Sequence, residues 1–116
     1  MHNGTSWEIR FIREINQAEA ARSAGNEGKA RVCARRAAGI IVHEVMHRQG
    51  IEYSDPSAYV QLKYFISLPQ LSPHLREIIN HFLIRITPDG NLPVDADLVQ
   101  EARWLANELL SYPHST

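Results

Sequence analysis

Apolar residues recur at helical spacing along nearly the whole chain. Trp7, Phe11, Ile15 and Ala18 form a first stripe, and Arg10, Arg13, Glu14 and Arg22 fall mostly away from it. Side chains three or four apart share one helical face. Thr5 offers a capping hydroxyl, and Glu8, three residues on, completes a capping box. Gly25-Asn26-Glu27-Gly28 ends this first helix, because Gly and Asn accept the left-handed backbone of helix termini. The second helix runs from about Lys29 to Gln49, and Gly50 stops it. On it Ala30, Ala34, Ala37, Ala38, Ile41 and Val45 share one arc of about 100°. Such small side chains let a neighbouring helix approach closely. Lys29, Arg36, His43 and His47 fall on the opposite arc, with Ile40 and Cys33 between them.

Asp55 as cap and Pro56 at the first helical position predict a third helix through Tyr59, Leu62, Phe65 and Ile66, limited by Pro69. Ser72-Pro73 repeats that start signal, and Leu75, Ile78, Ile79, Phe82 and Ile86 follow. Thr87-Pro88-Asp89-Gly90-Asn91 is a turn cluster. Asp95 or Asp97 caps a last helix carrying Leu98, Ala102, Leu105, Ala106 and Leu109, with its exit at Ser111-Tyr112-Pro113. No segment alternates with period two, and no linker divides the chain. The pattern predicts one all-α domain over residues 1–116, an up-and-down antiparallel bundle of four to five helices.

Composition narrows the partners. The chain has 116 residues, 12 Lys+Arg against 13 Asp+Glu, and net charge -1, so no global field draws it to nucleic acid. The charge is unevenly spread. Residues 28–50 carry Lys29, Arg31, Arg35, Arg36 and Arg48 against Glu44, whereas residues 86–116 carry Arg103 against five acids. A single cysteine excludes a disulfide framework, and Cys33 reads as a packing thiol. No run reaches the roughly 18 apolar residues of a membrane span, and the start lacks the pattern of a secretory signal. These features predict a cytoplasmic protein with no membrane partner.

Trp7, the run Ala18 to Ala24, the Gly25–Gly28 break and the helix Ala30 to Gly50 together resemble the front half of HEPN domains. The likeness covers about 45 residues. It implies an up-and-down bundle that dimerises and acts as a ribonuclease or as a non-catalytic partner of a minimal nucleotidyltransferase. The ribonucleases of that family use an Arg separated by four to six residues from a His. Arg36 and His43 have six residues between them and lie about 20° apart on one helical face. His would act as general acid or base, and Arg would stabilise a phosphorane's charge. The family's motif sits on a late helix of the bundle; here it sits on the second.

A rival string overlaps it. His43-Glu44-Val45-Met46-His47 reads HExxH, in which two His four apart can share a Zn²⁺ and the Glu can activate a bound water. Tyr53 stands where a longer version of that pattern places a third His. Glu52, Glu77 and His81 are further conceivable ligands, and no spacing singles one out. A protease of this kind also lays its substrate along a sheet edge, and no strand is predicted. Gly28-Lys29 lacks the spacing of a phosphate loop, and Asp89, Asp95 and Asp97 match no calcium loop.

The expectation is a HEPN-like binding and dimerisation module without cofactor. Lys29, Arg31, Arg36 and His47 are its expected binding residues. Its expected partners are a second copy docking on the second helix or the first two, a nucleotidyltransferase-like protein, or RNA. The enzymatic alternatives are a ribonuclease through Arg36 and His43 and a zinc hydrolase through His43, Glu44 and His47.

Overall fold

The computed structural model describes residues 6–53, 55–85, 87–89 and 91–112. Thr5, Ile86, Gly90 and Pro113, assigned above to a cap, a stripe, a turn and an exit, lie outside those residues. The described residues form five helices: α1 (Ser6–Ser23), α2 (Glu27–Arg48), α3 (Ala58–Ile66), α4 (Pro73–Leu83) and α5 (Leu98–Leu110). No strand occurs among the described residues. The fold is an all-α helical bundle, as the periodicity predicts.

Helix α2 is its axis. Helices α1, α3 and α5 all pack on it. The alanine arc is buried as expected, but burial extends round to Cys33, Gly39, Val42 and Met46. Phe65, Phe82, Leu62, Ile79, Leu98 and Leu105 fill the rest of the core with less than 2% of their surface exposed. Each such side chain contributes about 1.5–3 kcal/mol by leaving water.

Local chemistry sets the ends. Gly25 adopts φ +80°, which glycine takes without steric cost. The Asn26 side chain then accepts the Lys29 amide at 3.1 Å. Helix α2 therefore begins at Glu27, two residues before the predicted start. Arg22 joins Glu27 at 2.7 Å and Asp97 at 3.1 Å, linking the end of α1 to the starts of α2 and α5. Asp97 caps α5 and Ser72 caps α4, as predicted. At the other end, Tyr112 meets the Trp7 ring edge-on at 5.7 Å, so α1 and α5 run in opposite directions. The Arg48 guanidinium lies 6.0 Å from the same Trp7 ring, which makes α1 and α2 antiparallel too.

Helix α3 departs from expectation in its start. The cap is Ser57, not Asp55, and Pro56 lies outside the helix. Asp55 instead builds the turn before it. Its Oδ1 accepts the Ser57 amide at 2.9 Å, and its carbonyl accepts the Gln61 side-chain amide at 2.9 Å. The connection doubles back, so Ala58 packs against Gly39 in the middle of α2. That return spans about 15 Å of helix at 1.5 Å per residue.

Candidate functional site

The doubled-back connection makes a groove. Its floor is α2, with Val32, Arg35, Arg36, Ile40 and His43; one wall is α1, with Arg10 and Arg13; the other is Pro56, Ala58 and Tyr59. Three adjoining depressions of about 340, 480 and 410 Å³ share these residues, and the last reaches Arg85. The far wall is fixed closely. An added Cβ on Gly39 would sit 2.7 Å from the Ala58 Cβ, so only glycine admits this approach. Gln61, 5% exposed, holds the Asp55 turn against the groove end that it lines with His43.

The electrostatics separate this face from the rest of the molecule. Elsewhere arginines are matched: Arg22 with Glu27 and Asp97, Arg48 with Glu44, Arg103 with Glu19. In the groove, Arg10, Arg13, Arg36 and Arg85 form no ion pair with any described carboxylate. Arg35 spends two of its donors on the carbonyls of Phe82 and Ile84, at 2.8 and 3.2 Å. Burial holds its guanidinium below the ordinary arginine range, and repulsion from Arg85 adds to this. Arg35 and Lys63 each stand 5.8 Å from the centroid of the Tyr59 ring. Two acids, Glu14 and Asp55, also line the groove. Glu14 Oε1 and Gln61 Oε1 are buried acceptors without a donor from the protein.

Arg36 and His43, paired by spacing alone in the sequence, line the same depression. The other predicted binding residues lie off the groove lining. Lys29 is exposed in the first turn of α2. Arg31 is half-buried and acts on Glu27, whose carboxyl Arg22 and then Arg31 hold below its usual range. His47 is exposed one turn beyond His43. Of the arc opposite the alanines, Arg36, Ile40 and His43 line the groove floor, beside the start of α3.

The HExxH string does not gather a metal shell here. Glu44 binds Arg48 at 3.0 Å, four residues on along the helix. Among the described residues, no group of three or more His, Cys, Asp or Glu could hold a metal ion. His81, a conceivable third ligand, instead meets Glu101 at 2.9 Å on the far side of α4 and α5. The acidic residues near the end of the chain serve locally: Asp89 meets Thr87 in a turn, and Asp97 caps α5. Cys33 is fully buried, and that burial pushes its thiol up.

Sequence reasoning missed Arg10, Arg13, Arg35, Tyr59 and Arg85 as neighbours of Arg36. Arg10 and Arg13 carry a faint signal, three apart on the polar side of α1. Tyr59 and Arg85 carry none, since only the return of the chain over Gly39 brings them in. No helix among the described residues is long and apolar enough to cross a membrane. Comparison of the chain with protein-family models, curated proteins and solved structures found no match.

Proposed function

We propose that this protein is a binding module whose arginine groove takes the phosphate backbone of a nucleic acid, RNA above all. The observation that supports it is the sorting of charge. Outside the groove Arg22, Arg48 and Arg103 have carboxylate partners and Arg76 a carbonyl one, while Arg10, Arg13, Arg36 and Arg85 have no ionic partner among the described residues and line adjoining depressions. Unmatched cations held close together repel one another, and a polyanion relieves this. Arginine suits phosphate because its planar fork donates two parallel hydrogen bonds. With a net charge of -1 the molecule has no global field for a polyanion, so the attraction is local to clustered cations.

The test is fluorescence anisotropy with a labelled mixed-sequence RNA at low salt. Arg10→Glu with Arg36→Glu is expected to weaken binding by about tenfold or more and to flatten the salt dependence. Unchanged affinity in that double variant would sink the proposal.

A second reading is favoured by the shared depression of Arg36 and His43: cleavage of the bound RNA, with His43 moving the proton and Arg36 stabilising the charged phosphorus centre. Chelator-insensitive cleavage lost in His43→Ala supports it, and intact RNA after prolonged incubation removes it. Self-association belongs to the proposal through α1, not α2. Ile9 and Ile12 are 55% and 41% exposed and offer an apolar contact to a second copy. Light scattering that shows a monomer at high micromolar concentration rules the dimer out.

A further inference from the structure

We infer that the groove takes a single strand in preference to a duplex, with Tyr59 and Arg35 as the platform that meets its bases. The inference rests on the nucleic-acid reading above and narrows its substrate. Three observations carry it.

The first is shape. Arg10 and Arg13 of α1 and Arg36 of α2, all exposed, line the depressions between α1 and the start of α3. An A-form RNA duplex hides its base edges in a deep, narrow major groove and is met mainly across its wide, shallow minor groove. A lone strand fits between walls.

The second is length. Val32 to His43 spans about 16 Å of α2 at 1.5 Å per residue. That accommodates about five nucleotides at a stacked rise of about 3.4 Å, and fewer if the strand is extended. The span matches the small end of single-strand site sizes.

The third is chemistry. The groove mixes cations with flat or apolar groups: Arg35, Arg36 and Arg85 with Ile40 and Tyr59. Tyr59, flanked at 5.8 Å by Arg35 and by Lys63, offers a ring beside two phosphate-seeking groups. Arginine planes and aromatic rings both stack on exposed bases, which a duplex keeps covered.

The experiment compares a labelled RNA hexamer, the blunt duplex of the same sequence, and heparin, by anisotropy in one buffer. The hexamer is expected to bind the unaltered protein about tenfold or more tightly than the duplex does. Tyr59→Leu is expected to weaken the hexamer by roughly tenfold, Tyr59→Phe to keep its affinity, and heparin to bind alike in all three proteins. A duplex that binds as well as the hexamer overturns the inference, as does a Tyr59→Leu protein that holds the hexamer normally. Either result leaves the nucleic-acid reading standing, since heparin still binds. If hexamer, duplex and heparin all fail to bind, both readings fall. The strand comparison uses the unaltered protein, so a folding defect in Tyr59→Leu does not blunt the test.

Discussion

The contact between Gly39 and Ala58 places the whole far wall of the groove, and Gly39→Ala probes it directly. A Cβ built on Gly39 lies 2.7 Å from the Ala58 Cβ and 3.0 Å from its Cα. Carbon atoms rest at about 3.5–4.0 Å, so the first turn of α3 must retreat by about 1 Å. The obstacle is a methyl fixed to backbone and cannot swing aside. Overpacking of this kind costs about 1–3 kcal/mol. Alanine returns about 1 kcal/mol through helix propensity. The balance is a loss of about 1 kcal/mol, a fall in Tm of about 4 °C for a domain of 116 residues. Thermal unfolding followed by circular dichroism measures it. Adding Ala58→Gly removes the opposing methyl and is expected to recover part of the loss, a coupling between touching residues. The same retreat shifts Pro56 and Tyr59, so RNA affinity falls in the single variant beyond what stability explains. A Gly39→Ala protein as stable as the original, with unaltered RNA binding, would refute the close approach and the wall built on it.

Three further outcomes follow from particular contacts. Hydrogen bonds from Arg22 hold Glu27 below its usual range. At Asp97 burial pushes the other way, but Arg22 and the α5 amides prevail. Depressed carboxylates stabilise the fold above their unfolded pKa, and that stability is lost as pH falls through the folded values. Arg22→Ala is therefore expected to lower Tm at pH 7 modestly, by under about 1 kcal/mol for so exposed a cluster. The gap between variant and original closes as pH falls through these two depressed values, and a gap that persists once both groups are protonated contradicts the assignment. Burial raises Glu101 despite its contact with His81, so the fold prefers it protonated, and that contribution is lost as pH rises through the raised value. Glu101→Gln keeps an acceptor for His81 and is expected to match or exceed the original Tm at pH 7; a clear drop there would mean that the charged pair stabilises the fold. His47→Ala, one turn past His43 and outside the groove, is expected to leave RNA affinity within about twofold.

The helices were legible because their signals are local. Ser72-Pro73 and Asp97 act through amides three residues away, and stripes such as Leu75, Ile78, Ile79 and Phe82 need only one helix to make sense. Misreadings arose where two local signals competed. Asp55-Pro56 and Ser57 both offer a cap, and the Gln61 amide gripping the Asp55 carbonyl decides for Ser57. Asn26 outcompetes the later glycine as the start of α2 because its oxygen reaches the Lys29 amide. The pairing of Arg36 with His43 was legible from helical geometry alone. Their companions were not, because Arg10, Tyr59 and Arg85 belong to three other segments that meet only after the chain folds back. Gly39 was the available clue: a glycine inside a long helix costs about 1 kcal/mol and asks for a packing reason.

Arg35 ties the trench to the opposite end of the hairpin formed by α3 and α4. One edge of its guanidinium fastens the Phe82 and Ile84 carbonyls, where α4 runs out, and its plane stands by Tyr59. An occupant that recruits this side chain takes hold of the latch on α4. Deuterium uptake in the last turn of α4, at Phe82 and Leu83, would then report occupancy of the groove through that latch.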